Sequence, residues 1–530
     1  MSFPDRNNPY DFEAFLEWRN GVDYYRDDPF IQKVVATYCG GKAAAVDRAA
    51  RTMSARASQR WRDISDRIGE ERKRPWVEHY DAHNNRIDRV VRPHEAEVME
   101  REVFGEALFA ERTSAWEKLT KMYLIYQNGE ACISCPVTCT EGLVKLLEQF
   151  ADTPETLAIL NHLKEGVDGE FAIGAQFLSE VQGGSDVPAN LAEAVQDADG
   201  NWRIYGTKFF CSVAHADYSV VTAKPVGSED IANFVVPSWL PGDKAKQRRN
   251  GFTIDRIKRK MGTSELPTCE LTFNGALAYP IGPFDRGLAN IVAIVLTYSR
   301  LTVGLYSAAT MTRAAREARG YAEFRTAFEQ RIADFPMAAN QLEAMDLAAR
   351  RATAGAFKLY QQFLELEGTL NQKLELGDLA DRQRRFETRE LIMLQKAQAA
   401  YDATSVLREA ISIYGGHGAM EDFSPLPRLF RDAAINELWE GPRNVLLTQV
   451  HRDCQRVAKW YPPTEFVAHL LRGLDEGRID TIATEFASLI AHPSLLTMDA
   501  ATRDACGRWD RCCADLVHAY QDAAVLDVTR

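Results

Sequence analysis

Glu440 is the side chain in this sequence best placed to act as an acid or base. It stands between Trp439 and a Gly441-Pro442 pair, near the end of the run IYGGHGAMEDFSPLPRLFRDAAINELWEGPRN, residues 413–444. Apolar spacing predicts a helix over Leu429–Leu438, stopped where Gly441 takes a left-handed cap and Pro442 cannot continue the ladder. A carboxylate at a helix C-terminus meets the negative end of the macrodipole, and the apolar Trp439 lowers its solvation. Both effects raise its pKa, as a general base working on a weakly acidic proton near pH 7 requires. Taken alone, the segment also fits a solvated helix end.

Two further segments could bind a ligand. In Ser179–Asp186, SEVQGGSD, a Gly-Gly turn permits close backbone approach, and Ser185 with neighbouring amides can meet phosphate oxygens. In Tyr205–Ser212, YGTKFFCS, Phe209, Phe210 and Ser212 could form an aromatic wall and a hydroxyl donor beside a planar group. Taken singly, they also read as turn glycines and core aromatics. Cys132, Cys135 and Cys139 have part of a metal-site spacing but lack a fourth ligand nearby, and they share one helical side. They are read as core thiols, and no metal site is predicted.

Composition narrows the classes. Hydrophobic residues at 46% and charged residues at 26% are ordinary globular values and disfavour disorder. The apolar run near Ile291–Leu296 is too short to cross a bilayer, and MSFPDRNNPYDF has no leader pattern, so a cytoplasmic, membrane-free protein is expected. Ten cysteines in 530 residues fit reduced thiols. A net charge of -12 argues against general nucleic-acid binding, although Lys244–Lys260 is locally basic.

The elements that must position these residues fall into four parts. Residues 1–169 read as helical, with apolar spacing in Asp11–Arg19, Gly41–Glu71, His94–Leu108, Ser114–Tyr126 and Glu141–Phe150, and a helix start at Thr153-Pro154. Residues 170–285 read as an inserted antiparallel β domain. Its strands are Phe171–Leu178, Leu191–Gln196, Trp202–Phe210, Tyr218–Ala223, Ala232–Val236, Phe252–Ile257 and Cys269–Phe273, with a hairpin turn at Asp199-Gly200-Asn201. Residues 286–453 return to long helices, Ala289–Ala318, Ala333–Leu366 and Arg382–Tyr414, whose alanine-rich faces suit a bundle. Residues 454–530 add a helical extension. The fold class is therefore mainly α with an inserted β domain.

In order, SEVQGGSDV, YGTKFFCS, RIKRKMGTSELPTCELTF, the helix with Arg300, YGGHGAMEDF and FRDAAINELWEG resemble the acyl-CoA dehydrogenase family over roughly residues 95 to 452. The resemblance implies a helical domain, a β domain and a helical bundle, with FAD bound between the last two. It implies that Ser179 and Ser212 hydrogen-bond the flavin, that Phe210 covers it, and that Ser185 lies near the FAD pyrophosphate and the bound thioester. Arg300 matches an arginine near the CoA portion. Gly415, Gly416 and Gly418 match a turn on the FAD adenosine of a neighbouring subunit. Glu440 matches the base that removes an α-proton while the β-hydrogen leaves as hydride to flavin N5, giving a 2-enoyl thioester. An electron-transfer flavoprotein as acceptor and a homodimer or homotetramer are implied as well.

The sequence departs from the family pattern in places. Arg325 and Phe328 keep part of an FAD-phosphate loop, but Glu329 replaces its glycine, and Pro442 stands where many members have threonine. Ser299 occupies the alternative base position before Arg300 and cannot serve as a base. SEVQGGSDV and the long tail also resemble the AidB branch, which gives the alternative of a DNA-associated flavoprotein. An acyl-CoA oxidase is a third reading.

Overall fold

The structure, a computed structural model, describes residues 11–373 and 375–530. The expectation of no leader therefore concerns residues that lie mostly outside the described ones. The chain opens with α1 (Glu13–Gly21), α2 (Pro29–Tyr38), α3 (Ala43–Ala55) and α4 (Arg62–Ile68), the last two joined through a π-helical segment at Arg56–Trp61. Asp28 starts α2 by accepting from the Phe30 and Ile31 amides, with Pro29 in the first turn. An antiparallel hairpin, β1 (Trp76–Tyr80) and β2 (Arg86–Val91), then interrupts the helical part. The helical reading misses it because the strands are short and polar; its turn is held by Asp81, which accepts from the His83 and Asn85 amides.

Helices α5 (His94–Phe104), α6 (Ala115–Tyr126), α7 (Ser134–Phe150) and α8 (Pro154–Lys164) follow. The Thr153 start of α8 is a full capping box with Thr156. Helix α7 begins at Ser134 rather than Glu141, because its first turn is a buried run of Ser134, Cys135 and Pro136.

The middle of the chain forms one sheet from β3 (Gly174–Phe177), β4 (Glu193–Gln196), β5 (Trp202–Ser212), β6 (Tyr218–Pro225), β7 (Ala232–Pro237), β8 (Phe252–Ile257) and β9 (Thr268–Pro280). The predicted hairpin joins β4 to β5, with Gly200 at φ +86°. The sheet is not wholly antiparallel: β6 runs parallel to both β3 and β4. Pairing of β6 with β7 closes a ring through β4, β5, β9 and β7, so the fully buried β7 is covered on both faces.

Beyond the sheet, α9 (Gly287–Asn290) passes through a π-helical segment at Ile291–Val295 into α10 (Leu296–Phe324). A hairpin of β10 (Thr326–Ala327) and β11 (Gln330–Arg331) leads to α11 (Pro336–Glu365), α12 (Leu379–Tyr414), α13 (Leu426–Asn436) and α14 (Arg443–Val457). Helix α10 packs against both α11 and α12. The extension consists of α15 (Pro463–Leu470), α16 (Glu476–Ile490) and α17 (Ala500–Thr529), and α17 lies along α11. One helical stretch, Phe284–Phe324, contains an 18-residue window of mean hydropathy 1.6, long and apolar enough by composition to cross a membrane. It is longer than the apolar run Ile291–Leu296 within it, and it carries buried Arg313 and Glu317, paired at 2.7 Å, into the bundle.

Candidate active site

Helix α13 stops at Asn436, two residues before the predicted end, and four turn residues carry the chain to Glu440. Glu440 itself is left-handed at φ +59°, as is Gly441 at φ +101°. The strain expected of Gly441 alone is thus shared by a glutamate, for which that conformation is costly. Three side chains from three elements hold the turn. Arg300 Nε on α10 donates to the Glu440 carbonyl at 3.0 Å. Lys396 Nζ on α12 donates to the Glu437 carbonyl at 3.0 Å and the Gly441 carbonyl at 2.7 Å. Gln176 Nε2 on β3 donates to Glu440 Oε1 at 3.0 Å, while its own buried Oε1 has no partner among the described residues.

These contacts set the charge balance. Burial raises the Glu440 pKa, and Arg300, Lys396 and the Gln176 hydrogen bond oppose that rise. Burial pushes Lys396 down to about 7, with Glu440 acting in the opposite direction. Lys396 has no exposed surface, and nothing in its sequence context marked it, since a lysine that caps carbonyls on another element leaves no local pattern.

Glu440 opens onto a cavity of about 1850 Å³ between the sheet and the bundle. Ser179, Ser185, Phe210, Ser212 and Arg300 line the same cavity. Phe210 is 54% exposed and packs edge-on against Phe209 at 5.0 Å, under the Lys258 ammonium. Ser212 Oγ is 3.0 Å from Thr268 Oγ1, which in turn accepts from Lys260 Nζ at 2.8 Å, a cation that sequence reading passed over as part of a basic stretch. Glu390 on α12 also faces the cavity, with one buried carboxylate oxygen that has no partner among the described residues.

The remaining predicted residues lie elsewhere. Arg325 caps α10, Phe328 sits in the β10–β11 turn and is 92% exposed, and Gly415 and Gly416 are exposed just after α12. Gly418 is buried, and a Cβ there would stand 2.3 Å from the Ile411 carbonyl oxygen. None of these five lines the cavity of this chain. Ser299 is buried, and its hydroxyl has no partner among the described residues. Cys132, Cys135 and Cys139 are buried free thiols, the last two with sulfurs 3.6 Å apart. Glu100, Cys132 and His215 place ligand-type atoms within 4.8 Å of one another, but Arg92 already holds both Glu100 oxygens at 2.8 and 2.9 Å, a cation where a metal would sit.

The family model for the acyl-CoA dehydrogenase middle domain matches residues 175–276, and that for the acyl-CoA dehydrogenase C-terminal domain matches residues 285–454; together they span more than half of the chain. The chain is 29% identical over 405 residues to acyl-CoA dehydrogenase family member 11 of Caenorhabditis elegans, covering 72% of this chain and 63% of that protein. It is 28% identical over 358 residues to the putative acyl-CoA dehydrogenase AidB of Escherichia coli, covering 66% and 62%. The matches thus span less than two thirds of either relative. Among solved structures, the apo form of Bd2924 aligns with a TM-score of 0.83 at 22% identity, covering 96% of this chain and 98% of that one. Caenorhabditis elegans ACDH-11 in complex with C11-CoA aligns with a TM-score of 0.78 at 23% identity, covering 95% and 90%.

Proposed function

Because the chain belongs to the acyl-CoA dehydrogenase family, we propose that it oxidises an acyl-CoA thioester to the 2-enoyl thioester, with Glu440 as the base. The observation that carries this reading is the Glu440 turn: a carboxylate of raised pKa faces a large cavity while its main chain is fixed by Arg300 and Lys396. The family uses FAD, and the wall of the cavity fits it. Phe210 offers a half-exposed ring, and Ser212 and Thr268 offer paired hydroxyls. A volume of about 1850 Å³ exceeds the usual range of roughly 300–1,000 Å³ for a single drug-sized ligand, which suits a dinucleotide beside a thioester.

Bound FAD supplies the acceptor for the hydride that leaves the β-carbon. Glu440 takes the α-proton onto a carboxylate oxygen, so its raised pKa narrows the gap to a weak carbon acid. The Glu440 amide donates to no acceptor among the described residues, which leaves it available for the thioester carbonyl as negative charge develops there. Arg300 keeps that amide and the carboxylate in one rigid turn. ACDH-11 was solved with C11-CoA, which supports a CoA thioester as the ligand class. We assign the onward electrons to an electron-transfer flavoprotein and the protein to the cytoplasm, where its free thiols would stay reduced.

DNA association is not favoured: the chain carries a net charge of -12, and two arginines of the extension are paired with acids, Arg478 with Asp522 and Arg508 with Glu485. The test is an anaerobic titration of the FAD-containing protein with a panel of acyl-CoA thioesters, following the oxidised flavin absorbance. Bleaching by one acyl class is expected. In Glu440→Gln, flavin content and fold should persist while bleaching slows by several orders of magnitude, on the order of 10³-fold or more. Near-normal bleaching by that variant would move the base elsewhere.

A further inference from the structure

Helix α13 ends without a glycine cap of its own, and the carbonyl of its cap residue Glu437 is met from another helix. The acceptors are unusual in their placement. Lys396 bonds the carbonyl three residues before Glu440 and the carbonyl one residue after it, so a single buried ammonium straddles the turn. Arg300 takes the carbonyl between them. From this geometry we infer that Lys396 is a positioning residue for the reaction assigned to Glu440: its side-chain nitrogen clamps the turn on both sides of Glu440 and holds the carboxylate against the cavity. The inference rests on the reading of Glu440 as the base.

The local charges make the consequence specific. Glu440 faces Arg300 from α10, Lys396 from α12 and the neutral Gln176 from β3. Lys396 faces Glu440 and Glu437 from the turn and Arg300 from α10. Arg300 also faces Glu390 on α12. The next charge along the chain, Arg443, is committed to Asp510 at 2.6 Å. Lys396 is thus one of two cations acting on the carboxylate, and it does not line the cavity. Removing it leaves the binding surface intact but loosens a left-handed turn and withdraws a charge that favours ionised Glu440.

The test uses the full chain with FAD bound and compares Lys396→Met with Lys396→Gln. Lys396→Met is expected to keep flavin and to bind a thioester within about threefold of the parent, yet to lose about tenfold or more in kcat. The acidic limb of kcat/KM should move to higher pH by about half a unit or more, since a carboxylate that loses a neighbouring cation is harder to ionise. Lys396→Gln retains a neutral donor for one carbonyl; it should regain part of kcat and keep the displaced limb, and it carries the test alone where the methionine variant does not fold. A folded, flavin-containing variant with unchanged kcat and an unmoved limb overturns the inference. Glu440→Gln run in parallel separates the two claims. Normal turnover there sinks the base assignment, whereas an unmoved limb in the lysine variants beside an inactive Glu440→Gln sinks the role of Lys396 alone.

Discussion

At the scale of single residues, the site works by setting burial against nearby cations. Glu440 loses water to the cavity wall, which favours its neutral form, while Arg300 and Lys396 favour the carboxylate. Burial is the largest of these influences, so kcat/KM of the parent protein should fall on the acidic side through an apparent pKa above the ordinary glutamate value of about 4.3. Arg300→Ala should displace that limb further upward, and it should also lower kcat by about tenfold or more because the Glu440 carbonyl loses its donor. Steady-state rates over pH 5 to 9 measure both effects; an unmoved limb would remove Arg300 from the site. A second group of acids behaves differently. Glu265 and Asp432 are buried beside Arg428 with Glu130 close by, and burial with mutual repulsion raises Glu130 and Asp432 well above the carboxylate range. A raised carboxyl holds its proton in the folded state after the unfolded state has released it, so stability falls as pH climbs from the ordinary carboxylate range towards the raised value. Glu130→Gln removes that loss while its amide oxygen can still accept from the Cys135 amide. Its stabilisation in denaturant melts should be small at pH 5 and reach on the order of 1 kcal/mol at pH 8.

At the scale of elements, the local signals read well and the joints between elements did not. The Thr153 capping box, the Asp199–Asn201 hairpin and the strand Phe252–Ile257 are legible because short-range chemistry decides them. The parallel pairing of β6 with β3 and β4 is not legible, since it depends on which distant strands meet. The same holds for the site. Ser179, Ser185, Phe210, Ser212, Arg300 and Glu440, each in a recognisable motif, line one cavity, but Gln176, Lys260 and Lys396 act across elements and carry no local pattern. Asp432 shows such a joint: it accepts from the Thr263 amide at 2.6 Å and from the Glu130 amide at 3.3 Å, tying α13 to the β8–β9 loop and to the turn before α7. Gly262 makes this approach possible, because a Cβ there would stand 2.1 Å from the Arg431 carbonyl oxygen. Backbone cannot yield as a flexible side chain can, so Gly262→Ala should cost about 1–3 kcal/mol. It should also weaken FAD retention, because the loop it displaces carries Lys260, Met261 and Thr268 to the cavity wall. Denaturant unfolding with flavin release on dilution measures both, and full flavin retention in a destabilised variant would separate the joint from the cofactor wall.

At the scale of the whole molecule, the last helix, α17, ties the early helix α2 to the bundle. Tyr38 on α2 donates its hydroxyl to the Ala524 carbonyl on α17, and Arg351 on α11 pairs with Asp522. Helix α17 also reaches α14, the helix that starts at the Glu440 turn, through Trp509, whose Nε1 donates to the Leu447 carbonyl at 2.9 Å. Trp509 is buried, 5.0 Å from the Phe486 ring and edge-on to His451 at 5.3 Å, so it joins three helices of the bundle and the extension. No residue after Val457 lines the cavity. The extension helices thus brace α14 through Trp509, and none of their residues lines that cavity. Trp509→Ala should therefore cost about 3–5 kcal/mol in denaturant unfolding, as the loss of a large buried ring does. The fraction that stays folded should bind thioester with an unchanged KM, while kcat falls only so far as α14 loosens the Glu440 turn. A tenfold rise in KM without loss of stability would reverse this division, because it would require the extension to touch the ligand rather than the helix that carries the site.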